Sequence, residues 1–350
     1  MRRIDWIDSC RFLAMFWILI GHFLSIFYPS ALSLWEPGPT WWLFGGFPGK
    51  LAFTLYFVLL GFFACSPKPF DLSRFALYTL RRYLLFVFFG FFATLVFILG
   101  GYAVTWIFHT PDPDVFRILS DGPQYNLIYL LRDGFFLEDH YIDSFWCMPH
   151  LLAASVVCRL YGYLPERVRP GLRALIACAL IAVLLLLNAQ QTIWICVGLL
   201  GCLLRLAMEH ADAFPLLKKP RFRLLVLLLT IALLKIPIEE GPLLFFLEAL
   251  VDSTWMLLIA HDERVQRFLS RAPLPRLGKL SMGIFVIHTP VFCLLRSSLF
   301  SLMLNRLPNA VTYPLCFCLG IILTLLGAWI LHRAYDAVNG ALRRQTVSAR

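Results

Sequence analysis

The sequence predicts an all-α, polytopic integral membrane protein of about ten transmembrane helices, with both termini in the cytoplasm. Three observations carry that prediction. Sixty per cent of the 350 residues are apolar and only 15% are charged, whereas a soluble globule is typically about 45–50% apolar and about 25% charged. Mean hydropathy is +0.75, and with roughly 20 apolar residues needed per crossing the chain holds material for about ten. Lysine and arginine, finally, alternate in density along the chain as a fixed topology requires. The balance excludes a soluble multidomain enzyme, a disordered tail and a small secreted module.

Spans are expected near 12–28, 50–66, 83–108, 145–163, 173–188, 192–208, 222–237, 242–260, 280–302 and 313–332. The first run carries Arg11 and His22 and is followed by further spans, so it reads as a retained helix and not a cleaved leader. Ten spans put both termini on one side, and 24 of the 31 Lys/Arg fall there, with six opposite and Arg11 at the start of the first helix. The positive-inside rule makes that side cytoplasmic. The net charge of +10 therefore reads as orientation and contact with anionic membrane lipid, with no nucleic acid as partner. The segment 109–144 is an acidic external loop, and 333–350 a basic cytoplasmic tail. No internal repeat or soluble module interrupts the chain, so residues 1–350 are expected to form one transmembrane domain.

Polar groups at membrane depth are costly and are candidates for function. In the first helix, Asp8 and Arg11 are one turn apart, and Arg11 and His22 are eleven residues apart. That is close to three turns and about 16 Å of rise, so all three share one stripe. A basic group at the mouth with an imidazole deeper down suits an anion-binding entrance leading to a reactive base. The same residues also suit an interfacial arginine and a histidine bonded to a neighbouring helix. Lys279 and His288 repeat the arrangement in the ninth helix, where Pro290 frees a carbonyl; a packing histidine beside that kink fits the same residues equally well. Arg81-Arg82 can grip phosphates bidentately, or simply anchor the third helix. Glu248 and Asp252, four apart in the eighth helix, suit a proton relay or partners for an arginine. The ten cysteines have neither disulfide-framework nor zinc spacing, and no metal is expected. Walker, GxGxxG, GxSxG, HExxH and CxxC signatures do not occur.

Together these pieces resemble the membrane acyltransferase-3 family, whose members O-acylate sugars and other acceptors. Asp5-Trp6-Ile7-Asp8 through Arg11 to His22 is similar to the family's first helix. Phe57-Val58-Leu59-Leu60-Gly61-Phe62 resembles its second-helix signature, with Leu60 in place of the usual serine. Arg81-Arg82 match its paired basic residues. Trp146, Met148 and Pro149 match its Trp-x-Met-Pro segment, although Leu151 stands where many members have a glutamate, with His150 beside it. Gly278-Lys279, Ser281, Gly283 and His288 match the late glycine–lysine–serine motif that ends on a histidine.

The resemblance implies acyl-CoA, with acetyl-CoA foremost, as a donor substrate entering from the cytoplasm, and no permanently bound cofactor. Arg11, Arg81 and Arg82 would hold its phosphates. His22 would be the general base that deprotonates the acceptor hydroxyl, with direct acyl transfer through the imidazole as the variant. His288 would polarise the thioester or bind the acceptor, and Asp8, Trp146 and His150 would support them. The acceptor would be a hydroxyl of a cell-surface glycan or lipid-linked saccharide, modified in a bacterial inner membrane. A flippase for such a saccharide, and a non-catalytic partner of an export complex, are the competing readings.

Overall fold

The structure, a computed structural model, describes residues 4–27, 49–66, 69–108, 123–136, 142–165, 167–187, 190–210, 214–235, 241–304 and 306–348. Among the described residues all regular elements are helical. That follows from the composition: in hydrocarbon a backbone must satisfy its own hydrogen bonds, and a helix does so within one segment. The elements are α1 (Asp5–Phe27), α2 (Gly49–Ala64), α3 (Leu72–Phe108) and the short α4 (Pro123–Leu131). A single-turn stretch at Asp143–Cys147 leads into α5 (Met148–Tyr161), then α6 (Pro170–Leu186), α7 (Gln190–Glu209), α8 (Pro220–Lys235) and α9 (Pro242–Ala260). Two short helices, α10 (Glu263–Leu269) and α11 (Leu274–Lys279), precede α12 (Ser281–Leu295), α13 (Ser301–Leu304) and α14 (Asn309–Ser348). Pro170, Pro220 and Pro242 begin their helices, where the missing N–H costs nothing and φ is already set.

Among the described residues, six helical segments are long and apolar enough to cross a membrane: Asp5–Phe27, Leu72–Phe108, Thr192–Glu209, Pro242–Ala260, Ser281–Leu304 and Asn309–Gly340. Shorter apolar helices occupy Leu51–Ala64, Phe145–Tyr161 and Pro170–Leu186, and α8 has 16 residues. At 1.5 Å per residue, segments of that length fall short of the roughly 30 Å hydrocarbon core. Most of the acidic segment expected to form an external loop, at 109–122 and 137–141, lies outside the described residues. The basic C-terminal segment is helical through Ser348, as the continuation of α14.

Contacts group the chain into two units, one built from the described parts of 1–21, 30–82 and 149–278, the other from those of 22–29, 83–148 and 279–350. In the first, α7 packs against α2, α6 and α9. Glycines permit the α2–α7 contact: a Cβ on Gly61 would lie 1.8 Å from the Gly198 carbonyl oxygen, and one on Gly201 1.9 Å from that of Val58. Small residues let helix backbones meet in this way, and dispersion between the backbones then replaces the hydrophobic drive that lipid removes. The C-terminal end of α2 is closed by two buried arginines. Arg159 donates to the Ala64 and Ser66 carbonyls and lies against the Tyr78 and Tyr163 rings. Arg205 donates to Phe62 and pairs with Glu209 at 3.1 Å. Cations suit that position, because a helix ends on unsatisfied carbonyls and the negative pole of its dipole.

In the second unit α12 packs along α14, with Gly283 set against the backbone of Ala328 and Gly327 against Ile287. Phe88 and Phe89 of α3 meet Tyr335 of α14, and Gly134 packs its backbone against α3, where a Cβ would lie 3.1 Å from the Phe91 Cα. The last turns of α1 bring Phe23 and Phe27 onto Phe292, with Phe23 also on Phe317 and Phe27 on Phe300.

Candidate active site

The residues singled out by sequence fall into two groups. In the first unit Asp8 is buried and pairs with Arg11, one turn on, at 3.5 Å from Nη1 to Oδ1. Two contacts hold this turn of α1. The Ser9 hydroxyl donates to the Leu269 carbonyl at the end of α10. Gly278, at the end of α11, comes so close that a Cβ there would sit 1.9 Å from the Asp8 carbonyl oxygen. The glycine of the late motif therefore lets the end of α11 press on α1 beside the Asp8–Arg11 pair.

Tyr56 donates its hydroxyl hydrogen to the Arg11 carbonyl at 3.3 Å. Tyr56 lies eight residues before the end of α2, or about 12 Å along its axis. Arg11 thus stands about two turns inside the level at which Arg159 and Arg205 close α2. Its side chain keeps 30% of its surface open, which leaves it able to meet an anion while Asp8 fixes its direction.

In the second unit His22 and His288 meet. Their ring centroids are 4.8 Å apart and the planes are inclined by 76°. His22 is partly open and His288 fully buried. His288 Nδ1 lies 3.1 Å from the Ile284 carbonyl oxygen, an atom that can only accept, so the proton sits on Nδ1 and Nε2 carries the lone pair. Thr289 Oγ1 is 3.3 Å from that Nε2, and the Phe285 and Phe292 rings flank the imidazole at 6.0 and 6.1 Å. The result is a tautomer-fixed imidazole in an apolar sleeve, touching a second, more accessible imidazole. Such a pair can accept a proton from a hydroxyl held beside it.

The other expected site residues are more dispersed. Arg81 is exposed and Arg82 half-buried on α3, while Trp146 is exposed in the turn before α5 and His150 half-buried in its first turn. Arg159 and Arg205 count in the sequence only among the basic residues that set topology, because the carbonyls they close on α2 carry no signal there. Asp252, which the sequence leaves open between a relay and an ion-pair partner, accepts a hydrogen bond at Oδ2 from Thr54 of α2 at 2.6 Å. Thr54 had no distinguishing signal, because one threonine in an apolar run reads as a packing residue. Among the described residues no group of three or more His, Cys, Asp or Glu side chains could hold a metal.

A family model described as an acyltransferase domain matches residues 4–333, nearly the whole chain. No curated protein and no solved structure is detectably similar to it.

Proposed function

Since the chain belongs to the acyltransferase-3 family and is a membrane acyltransferase, we propose that it transfers an acetyl group from cytoplasmic acetyl-CoA to a hydroxyl of a cell-surface glycan or lipid-linked saccharide. In this reading the chain spans a bacterial inner membrane ten times with both termini inside. The observation that carries the chemistry is the His22–His288 contact, 4.8 Å between ring centroids, formed by the two helices that bear the family's histidines.

His22, the more accessible ring, takes the proton of the acceptor hydroxyl as its oxygen attacks the thioester carbonyl. The C–S bond breaks, CoA leaves as the thiolate or thiol, and the acetyl group ends on the acceptor oxygen. His288, with its proton on Nδ1, presents only a lone pair at Nε2, beside the Thr289 hydroxyl, which suits accepting from a second, non-reacting hydroxyl of the acceptor while the reacting hydroxyl gives its one proton to His22; polarising the thioester would require a second proton on the ring. Removing polar competitors with Phe285 and Phe292 keeps water from the thioester, since hydrolysis would compete with transfer. Arg11, turned by Asp8, meets the donor's phosphates, with Arg81 and Arg82 as further phosphate ligands.

Purified protein supplied with acetyl-CoA and a saccharide acceptor should release free CoA thiol in step with acetylated product. A flippase or a non-catalytic export partner would release none. Loss of thiol release in His22→Ala, with donor binding retained, assigns the chemistry to this site. Release unchanged in that variant would remove the imidazole pair from the reaction.

A further inference from the structure

A second polar feature lies at membrane depth, in a cavity of about 230 Å³ between α1, α2 and α9. Its walls are almost wholly hydrocarbon, formed by residues such as Leu13, Trp17, Leu55 and Met256, and its one acid is Asp252. Leu13 and Trp17 are 38% and 42% exposed, so the cavity borders the exposed face of α1. Asp252 is eight residues before the end of α9 and Thr54 ten before the end of α2, which places both about 12–15 Å from those ends. A buried carboxyl at this depth is costly and calls for an explanation beyond packing.

We propose that this cavity binds one long-chain, uncharged amphiphile, an alkyl alcohol by class, that enters laterally from the bilayer and sets its hydroxyl against Asp252. The walls select a hydrocarbon chain. The charge pattern selects a neutral head: no basic residue lines the cavity, so an anionic head would meet only Asp252, and a cationic one would have to shed its hydration in hydrocarbon. A hydroxyl needs no counter-ion. It can donate to or accept from the carboxyl, whose Oδ2 is already engaged by Thr54. None of the lining residues is among those assigned to acyl transfer, so the site stands or falls separately from that reaction.

The test is photolabelling of the full-length protein in lipid nanodiscs with a hexadecanol analogue carrying a mid-chain diazirine, followed by peptide mapping. Adducts should map to 10–17 of α1 and 252–259 of α9 and disappear with excess unlabelled hexadecanol. Ala52→Trp, which fills the cavity, and Asp252→Leu should each abolish them, whereas Asp252→Asn, which keeps a hydrogen-bonding head, should retain them. Leu55→Trp replaces Ala52→Trp if the latter fails to fold by thermal melting. Adducts that persist in the filled variants overturn the proposal. So does equal labelling by a diazirine phosphatidylcholine that hexadecanol cannot displace, because the cavity would then hold ordinary bilayer tails.

Discussion

Gly278 and Asp8 meet backbone to backbone, with room for no side chain: a Cβ on Gly278 would lie 1.9 Å from the Asp8 carbonyl oxygen. This contact fixes the turn of α1 that carries the Asp8–Arg11 pair, and it joins two stretches of chain separated by some 270 residues. Gly278→Ala must therefore displace α1 or the end of α11. The expected loss is about 1–3 kcal/mol, as for other over-packed contacts, read as a lower melting temperature in detergent. Gly171→Ala is the control, since a Cβ there meets nothing within 4 Å. Equal melting temperatures for the two variants would show that the Gly278 contact gives way freely.

The imidazole pair should behave as one unit. His22→Ala and His288→Ala are each expected to lower transfer by about 10²–10⁴-fold, the usual contribution of a general acid–base group. The double variant should be scarcely worse than the worse single one, because groups that act together are not additive. Initial rates at saturating acetyl-CoA decide this. Multiplying losses would mean that the two rings act independently, and a His22→Gln variant keeping more than about a tenth of the activity would rule out proton transfer by His22.

Arg11→Ala should weaken acyl-CoA binding roughly ten- to a hundred-fold, corresponding to about 1.5–3 kcal/mol for one charge-assisted hydrogen bond. The Arg81→Ala/Arg82→Ala pair should act in the same direction, with expression unchanged. Equilibrium binding of a non-hydrolysable acyl-CoA analogue measures both. If neither variant binds more weakly, all three arginines serve orientation alone.

Topology is tested by thiol labelling in a background without native cysteines. Single cysteines at 121 and 190 should react with an impermeant reagent in sealed cells, and one at 219 should not. Reaction at 219 would overturn the ten-span arrangement with cytoplasmic termini.

The sequence by itself determined the class of this protein. Hydropathy and charge density are sums over neighbouring residues, so long apolar runs such as those of α1, α3 and α14 announce helices without any knowledge of their partners. Motif spacing along one helix was equally legible, because 3.6 residues per turn fixes where Asp8, Arg11 and His22 stand on α1. Only the tertiary structure decided what those residues touch. The His22–His288 contact, the Thr54–Asp252 hydrogen bond, the Gly278–Asp8 approach and the closing of α2 by Arg159 and Arg205 each join residues far apart in the chain. In lipid a helix's hydrophobic surface is equally content against a neighbour or a bilayer tail. Periodicity therefore does not reveal which face meets which helix, and that choice is made by small residues and buried polar pairs whose partners are legible only once the helices are packed.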